Sequence, residues 1–262
     1  MANLYVVATP IGNLEDISLR AVNVLKEVDL ILCEDTRRTK ILLDRYQINK
    51  PLLSYHQHSR LKKVNYILDL LRQGKNLALV SEAGIPGISD PGNKLISLLV
   101  DKFRSLKIKN LQTYSEAELR NLTIIPIPGP SALTAALSIS GFPADQFIFL
   151  GFPPHKKGRQ KFFQEIANSK YTVVFYESPY RIIKTLKELK NYLQTYKLKN
   201  LSTKVVICRE LTKKFETVYR GTIDDVLEEV KKDKILGEYT IVISRPEGAR
   251  LAPMNIGVAK IK

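Results

Sequence analysis

Leu77 to Gly92 reads LALVSEAGIPGISDPG, four apolar residues followed at once by a loop carrying three glycines and two prolines. A short apolar run bounded by turn residues reads as a strand, and glycine and proline together give the loop close approach and a fixed shape. Working outward, the same unit recurs. Leu4 to Ala8 is a strand candidate followed by TPIGN (Thr9 to Asn13) and a helix to about Lys26. Val28 to Cys33 is a second strand, and a helix from about Leu61 to Gln73 precedes Leu77 to Val80. Leu122 to Ile127 is a further strand, running into PGPSA (Pro128 to Ala132). Strands rich in Val, Ile and Leu separated by helices imply parallel crossovers and an open α/β sheet.

The pattern changes after Gly141. Phe147 to Leu150, Thr172 to Tyr176, Val205 to Arg209, Phe215 to Tyr219 and Tyr239 to Ser244 are strand candidates. The link after Arg209 is short enough for a hairpin, because a parallel crossover needs a dozen residues or more. The expectation is α/β throughout: an N-terminal domain over 1–140 with a mainly parallel sheet, a C-terminal domain over 141–246 with a mixed sheet, and a loosely attached tail over 247–262.

Lys and Arg number 41 against 26 Asp and Glu, a formal charge of +15. That field favours a polyanion, nucleic acid or an anionic membrane surface, although a lysine-rich surface alone would give the same sum. The start runs straight from an apolar strand into a Pro/Gly loop, with no basic leader and no long apolar stretch, so a cytoplasmic protein without a membrane segment is expected. Cys33 and Cys208 each lie in an apolar run and read as buried thiols. With His56, His58 and His155 they make no metal-ligand spacing, so no metal is expected.

In open α/β sheets ligands bind beyond the carboxyl ends of the strands, where the three Gly/Pro loops gather. None is a GxGxxG or a GxxxxGK[ST], which argues against a dinucleotide or a P-loop nucleotide. Pro130, Ser131 and Ala132 would start a helix and offer free N–H groups.

These loops, together with CEDTRRT at Cys33 to Thr39 and PIPGPSA at Pro126 to Ala132, resemble the RsmI group. That group is the ribosomal RNA 2′-O-ribose methyltransferase branch of the tetrapyrrole methylase superfamily. GFPPHKKGRQ (Gly151 to Gln160), FYESPYR (Phe175 to Arg181), RELTKKFE (Arg209 to Glu216) and GEYTIVI (Gly237 to Ile243) continue the likeness over about Asn3 to Pro246. Two positions depart from it: Glu82 stands where the family usually has Asp, and Ile85 where it has Thr. An extra stretch, about Phe103 to Asn121 with Lys107, Lys109 and Arg120, reads as a solvated surface insertion.

The resemblance implies two domains with S-adenosylmethionine in the cleft between them, a homodimer, and a cytidine of the decoding region of 16S rRNA in the small ribosomal subunit as substrate. By motif position the cofactor is lined by Pro10, Gly84, Pro86, Ile88 and Ser89, by Ser131 and Ala132, and by Tyr176, Leu211, Tyr239 and Thr240. A neutral adenine and a methionine chain call for shape and a few amide contacts, which suits this set. The reaction needs alignment of a ribose oxygen with a sulfonium methyl and relief of the hydroxyl proton.

Glu34, Asp35, Arg37, Asp90, Glu177, Arg181, Arg209, Glu210 and Lys213 form the ionisable cluster, several of which could equally pair as structural salt bridges. Glu177 or Asp35 is the expected base, with Arg181 and Lys213 holding phosphate. Arg37, and the dense basic loop of His155, Lys156, Lys157, Arg159 and Lys161, are the expected RNA contacts. The Lys184 to Lys199 run reads as a solvated helix face. A small-tetrapyrrole methylase and a non-catalytic RNA-binding assembly protein are the alternatives. The basic loop and the net charge favour RNA over a macrocycle, and cofactor binding separates an enzyme from a binding module.

Overall fold

The structure, a computed structural model, describes residues 2–55, 61–108, 122–195 and 203–244, with backbone alone at 61 and 102–108. His56, His58, Lys109, Arg120, Lys197, Lys199 and the tail lie outside the described residues. The chain divides into two compact units, Met1–Ala132 and Leu133–Lys262.

The first unit is built on β1 (Ala2–Val7), β2 (Leu30–Cys33), β3 (Leu52–Ser54), β4 (Leu77–Val80) and β5 (Leu122–Ile127), in the order β3-β2-β4-β1-β5. Every neighbouring pair is parallel. Its helices are α1 (Leu19–Glu27), α2 (Thr36–Arg45), α3 (Leu61–Arg72) and α4 (Gly92–Ile108). The backbone of the expected insertion up to Ile108 simply continues α4.

The period of two along β4 sorts its side chains between two layers. Ala78 and Val80 pack with Ala21 and Leu25 of α1 and Leu42 and Leu43 of α2. Leu77 and Leu79 pack with Ile67, Leu68 and Leu71 of α3 and Leu95 and Leu99 of α4. All four β4 residues are buried, each large one worth about 1.5–3 kcal/mol relative to exposure. This accounts for the unbroken apolar run. The short edge strand β3 escapes sequence reading, because its three half-buried residues carry no such run.

Strand order positions the loops. From β1 the chain crosses to β2 on one side, whereas from β4 it crosses to β5 on the other. The two strands are neighbours, so their outgoing loops diverge to opposite faces and leave a crevice between them.

The second unit has β6 (Phe147–Phe149), β7 (Thr172–Glu177), β8 (Lys204–Arg209), β9 (Thr217–Thr222) and β10 (Tyr239–Ile243), ordered β6-β7-β10-β8-β9. Only β6 and β7 are parallel, so the sheet is mixed. Its helices are α5 (Ala132–Ser140, running from the unit boundary), α6 (Arg159–Ala167), α7 (Ile182–Thr195) and α8 (Ile223–Lys232). Val173, Phe175, Val205, Ile207, Ile241 and Ile243 bury one sheet face against α6, α7 and α8. Val174, Val206, Cys208 and Val242, on the opposite face, are buried as well.

The hairpin after β8 is present, but its second strand starts at Thr217 rather than Phe215. Lys213 N–H donates to Glu210 O at 2.9 Å and Glu216 N–H to Lys213 O at 3.0 Å, so two successive turns occupy the connection. Phe215 is left 67% exposed. Helix α8 then starts at a reciprocal capping box between Thr222 and Asp225. Thr222→Ala is expected to cost about 1 kcal/mol, read as a lower urea midpoint with an unchanged slope.

Candidate functional site

Three loops of the first unit converge on one glycine. Thr9 and Gly84 exchange backbone hydrogen bonds, Thr9 N–H to Gly84 O at 2.9 Å and Gly84 N–H to Thr9 O at 3.0 Å. The Thr9 hydroxyl also donates to Ser81 O at 3.2 Å, and the Ser81 hydroxyl to Gly84 O at 3.1 Å. Gly84 has φ +80°, a conformation glycine adopts without penalty. A Cβ there would lie 3.5 Å from Ile11 Cγ2 and 3.6 Å from Pro130 O. Pro10, Gly84 and Ser131, from the three sequence loops, are therefore buried side by side.

The rest of the β4 loop is braced by Asp90, whose Oδ1 accepts from Gly87 N–H and Gly92 N–H, both at 2.7 Å. Burial pushes the Asp90 carboxyl above its ordinary range against the pull of those two donors. Pro86 is buried, while Ile88 and Ser89 are exposed, Ser89 with φ +63°. A non-glycine residue in that region costs on the order of 1 kcal/mol and persists only where its surroundings dictate it. Glu82, one of the two departures from the family pattern, ion-pairs with Arg38 of α2 at 2.6 Å. The pair borders a small recess lined by Thr9, Pro10, Ser81, Thr39 and Leu42.

In the second unit the candidate residues meet at one end of the sheet. The ladder sets Thr240 opposite both Tyr176 and Cys208, and Tyr239 opposite both Glu177 and Arg209. The Tyr176 ring packs edge-on against Phe149 at 4.9 Å and against Phe152 at 5.5 Å. Burial pushes its hydroxyl above its ordinary pKa. Burial pushes the Tyr239 phenol up to about 12. Leu211 is buried between Glu210 (φ +53°) and Thr212 (φ +65°). That contorted turn is pinned by Glu210 N–H to Glu238 O at 3.0 Å and Glu238 N–H to Glu210 Oε1 at 3.0 Å.

Four ionisable residues expected at the chemistry are engaged structurally. Glu177 is 1% exposed. Its Oε1 accepts from Ser178 N–H at 2.7 Å and pairs with Arg181 Nη2 at 2.7 Å, and its Oε2 accepts from Thr185 Oγ1 at 2.6 Å. Arg181 Nη1 also donates to Pro153 O at 2.8 Å. A carboxylate so enclosed and saturated is poorly placed to take a substrate proton, and its arginine has little left to offer a phosphate.

Asp35 is the N-cap of α2 and chelates Arg37 through both oxygens. The Arg37 side chain, followed by the Arg37 backbone N–H, lowers the Asp35 carboxyl to about 2, which makes it a weak proton acceptor. Lys213 bridges Glu210 and Glu238 at 2.8 and 2.9 Å. Burial opposes its charge, but the two carboxylates outweigh burial and hold the ammonium above its ordinary value.

The basic loop splits in two. Lys156, Lys157 and Lys161 are exposed and have no ion pair among the described residues. Arg159 is 8% exposed. Its guanidinium donates to Glu188 at 2.6 Å, Thr185 Oγ1 at 2.8 Å and Pro154 O at 3.0 Å. It anchors the loop from within. Arg37, despite its partner, keeps a side chain 89% exposed. The sequence reading passes over Ser81 and Glu238 as site residues. A hydroxyl beside a glycine loop at a strand end, which commonly ties down backbone, is the signal that marks Ser81. Nothing local marks Glu238, whose role comes from a neighbouring strand. Among the described residues no cluster of His, Cys, Asp and Glu could hold a metal ion. No helix among them is long and apolar enough to cross a membrane.

A parallel sheet with clamped Gly/Pro loops followed by a second mixed sheet is the α/β arrangement of the tetrapyrrole-type methylases. Residues 3–227 match the family model for Tetrapyrrole (Corrin/Porphyrin) Methylases, and the chain belongs to that family. Among its relatives, the ribosomal RNA small subunit methyltransferase I of Thermotoga maritima is 41% identical over 94% of this chain and 100% of its own. The protein of the same name from Hydrogenobaculum is 44% identical over 92% of this chain and 95% of its own. Uroporphyrin-III C-methyl transferase from Thermus thermophilus, solved with S-adenosyl homocysteine, shares the fold at a TM-score of 0.60 and 15% identity, over 92% and 97% of the two chains.

Asp90→Asn keeps an acceptor for both loop N–H groups without a buried charge, and is expected to match or exceed wild-type stability at pH 7. Asp90→Ala orphans them and is expected to cost about 1–3 kcal/mol, both read by urea unfolding. For Asp35 the folded pKa, about 2, lies below the ordinary 3.8. Its stabilisation is therefore present above 3.8 and lost as pH falls through about 2. Asp35→Asn, which retains a capping side chain, is expected to flatten the dependence of the urea midpoint on pH across that window.

Proposed function

We propose that this chain transfers a methyl group from S-adenosylmethionine to the ribose 2′-hydroxyl of a decoding-region cytidine in 16S rRNA, acting as a cytoplasmic homodimer on the small ribosomal subunit. The observation that carries the reading is relatedness above 40% identity, over more than nine-tenths of the chain, to proteins named for small-subunit rRNA methylation. The exposed, unneutralised lysines of the basic loop and the +15 charge agree with a polyanionic substrate.

The residues fit the cofactor. The first unit offers a glycine-centred cradle of backbone and apolar groups at Pro10, Gly84, Pro86, Ile88 and Ser89, with Ser131 and Ala132 at a helix start. The second offers Tyr176, Leu211, Tyr239 and Thr240. Neither set builds a phosphate cradle, as suits a nucleoside sulfonium. S-adenosylmethionine supplies an electrophilic methyl carbon on a sulfonium. The chain's own work is to hold the acceptor oxygen in line with that carbon, at about 3–3.5 Å, and to exclude water. Lys156, Lys157 and Arg37 hold phosphate. Within the second unit Glu177 and Arg181 act as positioning residues for the loop that carries the two lysines, and Lys213 steadies the turn that presents Leu211.

Incubation with labelled S-adenosylmethionine and small subunits lacking the modification is expected to label the 2′-oxygen of one cytidine. Cofactor binding without label on the subunit overturns the proposal. Lys156→Ala with Lys157→Ala is expected to weaken rRNA binding and reduce its log–log salt slope by about 2, leaving cofactor affinity unchanged by calorimetry. Arg159 is left intact in that variant because its burial would confound binding with folding.

A further inference from the structure

We propose that Tyr180 and Phe152, flanked by Lys156 and Lys157, form a stacking platform for unpaired RNA bases. The proposal rests on the reading of the substrate as RNA and specifies which form of RNA the second unit grips. Tyr180 is 96% exposed, more than any other large hydrophobic side chain among the described residues. A lone exposed tyrosine is ordinary, but this one stands on a locked turn. Arg181 N–H and Ile182 N–H both donate to Ser178 O at 3.1 Å, and the Arg181 side chain is fastened to buried Glu177 at 2.7 Å.

The same guanidinium reaches across to Pro153 O at 2.8 Å, joining the Tyr180 turn to the loop that follows β6. That loop carries Phe152, 50% exposed and resting on Tyr176, and then Lys156 and Lys157. Arg159 fixes its far side through Pro154 O at 3.0 Å. Two exposed aromatic residues, and two lysines without an ion pair among the described residues, thus sit on two segments tied together through the Arg181 guanidinium.

Each feature has a use in gripping single-stranded nucleic acid. A ring braced by a neighbour, as Phe152 is by Tyr176, and a backbone turn already bonded, as at Tyr180, lose little freedom on binding, and every base offers a π-face that tolerates any sequence. The lysines meet the phosphates between stacked bases. A duplex hides its base faces in its own stack, so the platform selects unpaired nucleotides. The aromatic pair shares its segments with lysines that no carboxylate neutralises among the described residues, and charge complementarity therefore favours RNA over a neutral protein surface.

The test is fluorescence anisotropy with a labelled, unstructured RNA strand of about 12 nucleotides and with a perfect duplex of the same length. The wild type, Tyr180→Ala and Tyr180→Phe full-length proteins are compared. Tyr180→Ala is expected to lose about tenfold in affinity for the single strand with an unchanged salt slope, and little for the duplex. Tyr180→Phe is expected to retain wild-type affinity. Wild-type binding by Tyr180→Ala, or an equal loss on the duplex, overturns the platform. So does an unaltered RNA affinity accompanied by a changed oligomeric state in sedimentation, which would assign the surface to protein contact. Methyl incorporation into small subunits, scored in parallel, separates the two readings. Label with normal single-strand binding by Tyr180→Ala sinks the platform alone. A tenfold loss without any label leaves the platform standing and sinks the assigned reaction.

Discussion

Two reciprocal backbone hydrogen bonds between Thr9 and Gly84 are the constraint on which the first unit's candidate site depends. They exist because β4 inserts between β2 and β1, making the loops after β1 and β4 neighbours although more than seventy residues separate them. Any side chain at Gly84 would need to hold φ at +80°, which is strained for all but glycine, although its Cβ would meet Ile11 and Pro130 only at ordinary contact distance. The hydroxyls of Thr9 and Ser81 close the remaining gap by bonding to carbonyls of the same loop. The crevice thereby gains a rigid floor of backbone, which suits a ligand recognised by shape and amide contacts.

The second unit reaches a comparable rigidity by ionic means. Glu177 is enclosed at the end of β7, and a carboxylate so placed is tolerated only if its lone pairs are filled. Ser178, Thr185 and Arg181 fill them, and Arg159 extends the network to Glu188. Breaking one partner of such a buried pair costs about 3–5 kcal/mol, because an uncompensated charge remains. Loss of activity after substitution at Glu177 or Arg181 would therefore report on lost positioning as readily as on lost chemistry. The carbonyls of Pro153 and Pro154 are the output of this network, since through them half-buried Arg181 and buried Arg159 fix the path of the basic loop.

Much of the fold was legible in the sequence because its determinants are local. LALV at β4 is buried at every residue and was visible as an apolar run, and the Leu211–Phe215 segment was short enough for a hairpin, the antiparallel pairing that β8 and β9 show. Strand β3 was not legible, because three residues between a proline and a polar segment carry no periodicity. The candidate site was legible only in part. Glycine loops after strands announce where backbone can approach a ligand, and Pro10, Gly84 and Ser131 do come together. The ionisable residues were harder, since the same Asp, Glu and Arg serve as bases, caps or buried struts according to partners that tertiary structure supplies. Asp35 preceding Thr-Arg-Arg carried a local signal for a helix cap. The pairing of Glu177 with Thr185 and of Lys213 with Glu238 carried none that outweighed the motif.

The same distinction bears on the net charge. A sum of +15 treats every lysine and arginine alike, whereas the structure divides them by partner. Arg159 and Arg209 are buried against Glu188 and Asp233, Lys213 is shared between two carboxylates, and Lys40 and Lys231 are spent on neighbours along their own helices. A cation already paired contributes little to counterion release, because the phosphate it would meet must first displace a carboxylate. Lys156, Lys157 and Lys161 meet no such competitor among the described residues. The field that attracts a polyanion belongs to the whole chain, but the contacts that hold one come most readily from cations the fold leaves without a carboxylate partner. Lys156, Lys157 and Lys161 are three such cations, carried by the loop after β6 and the helix it enters.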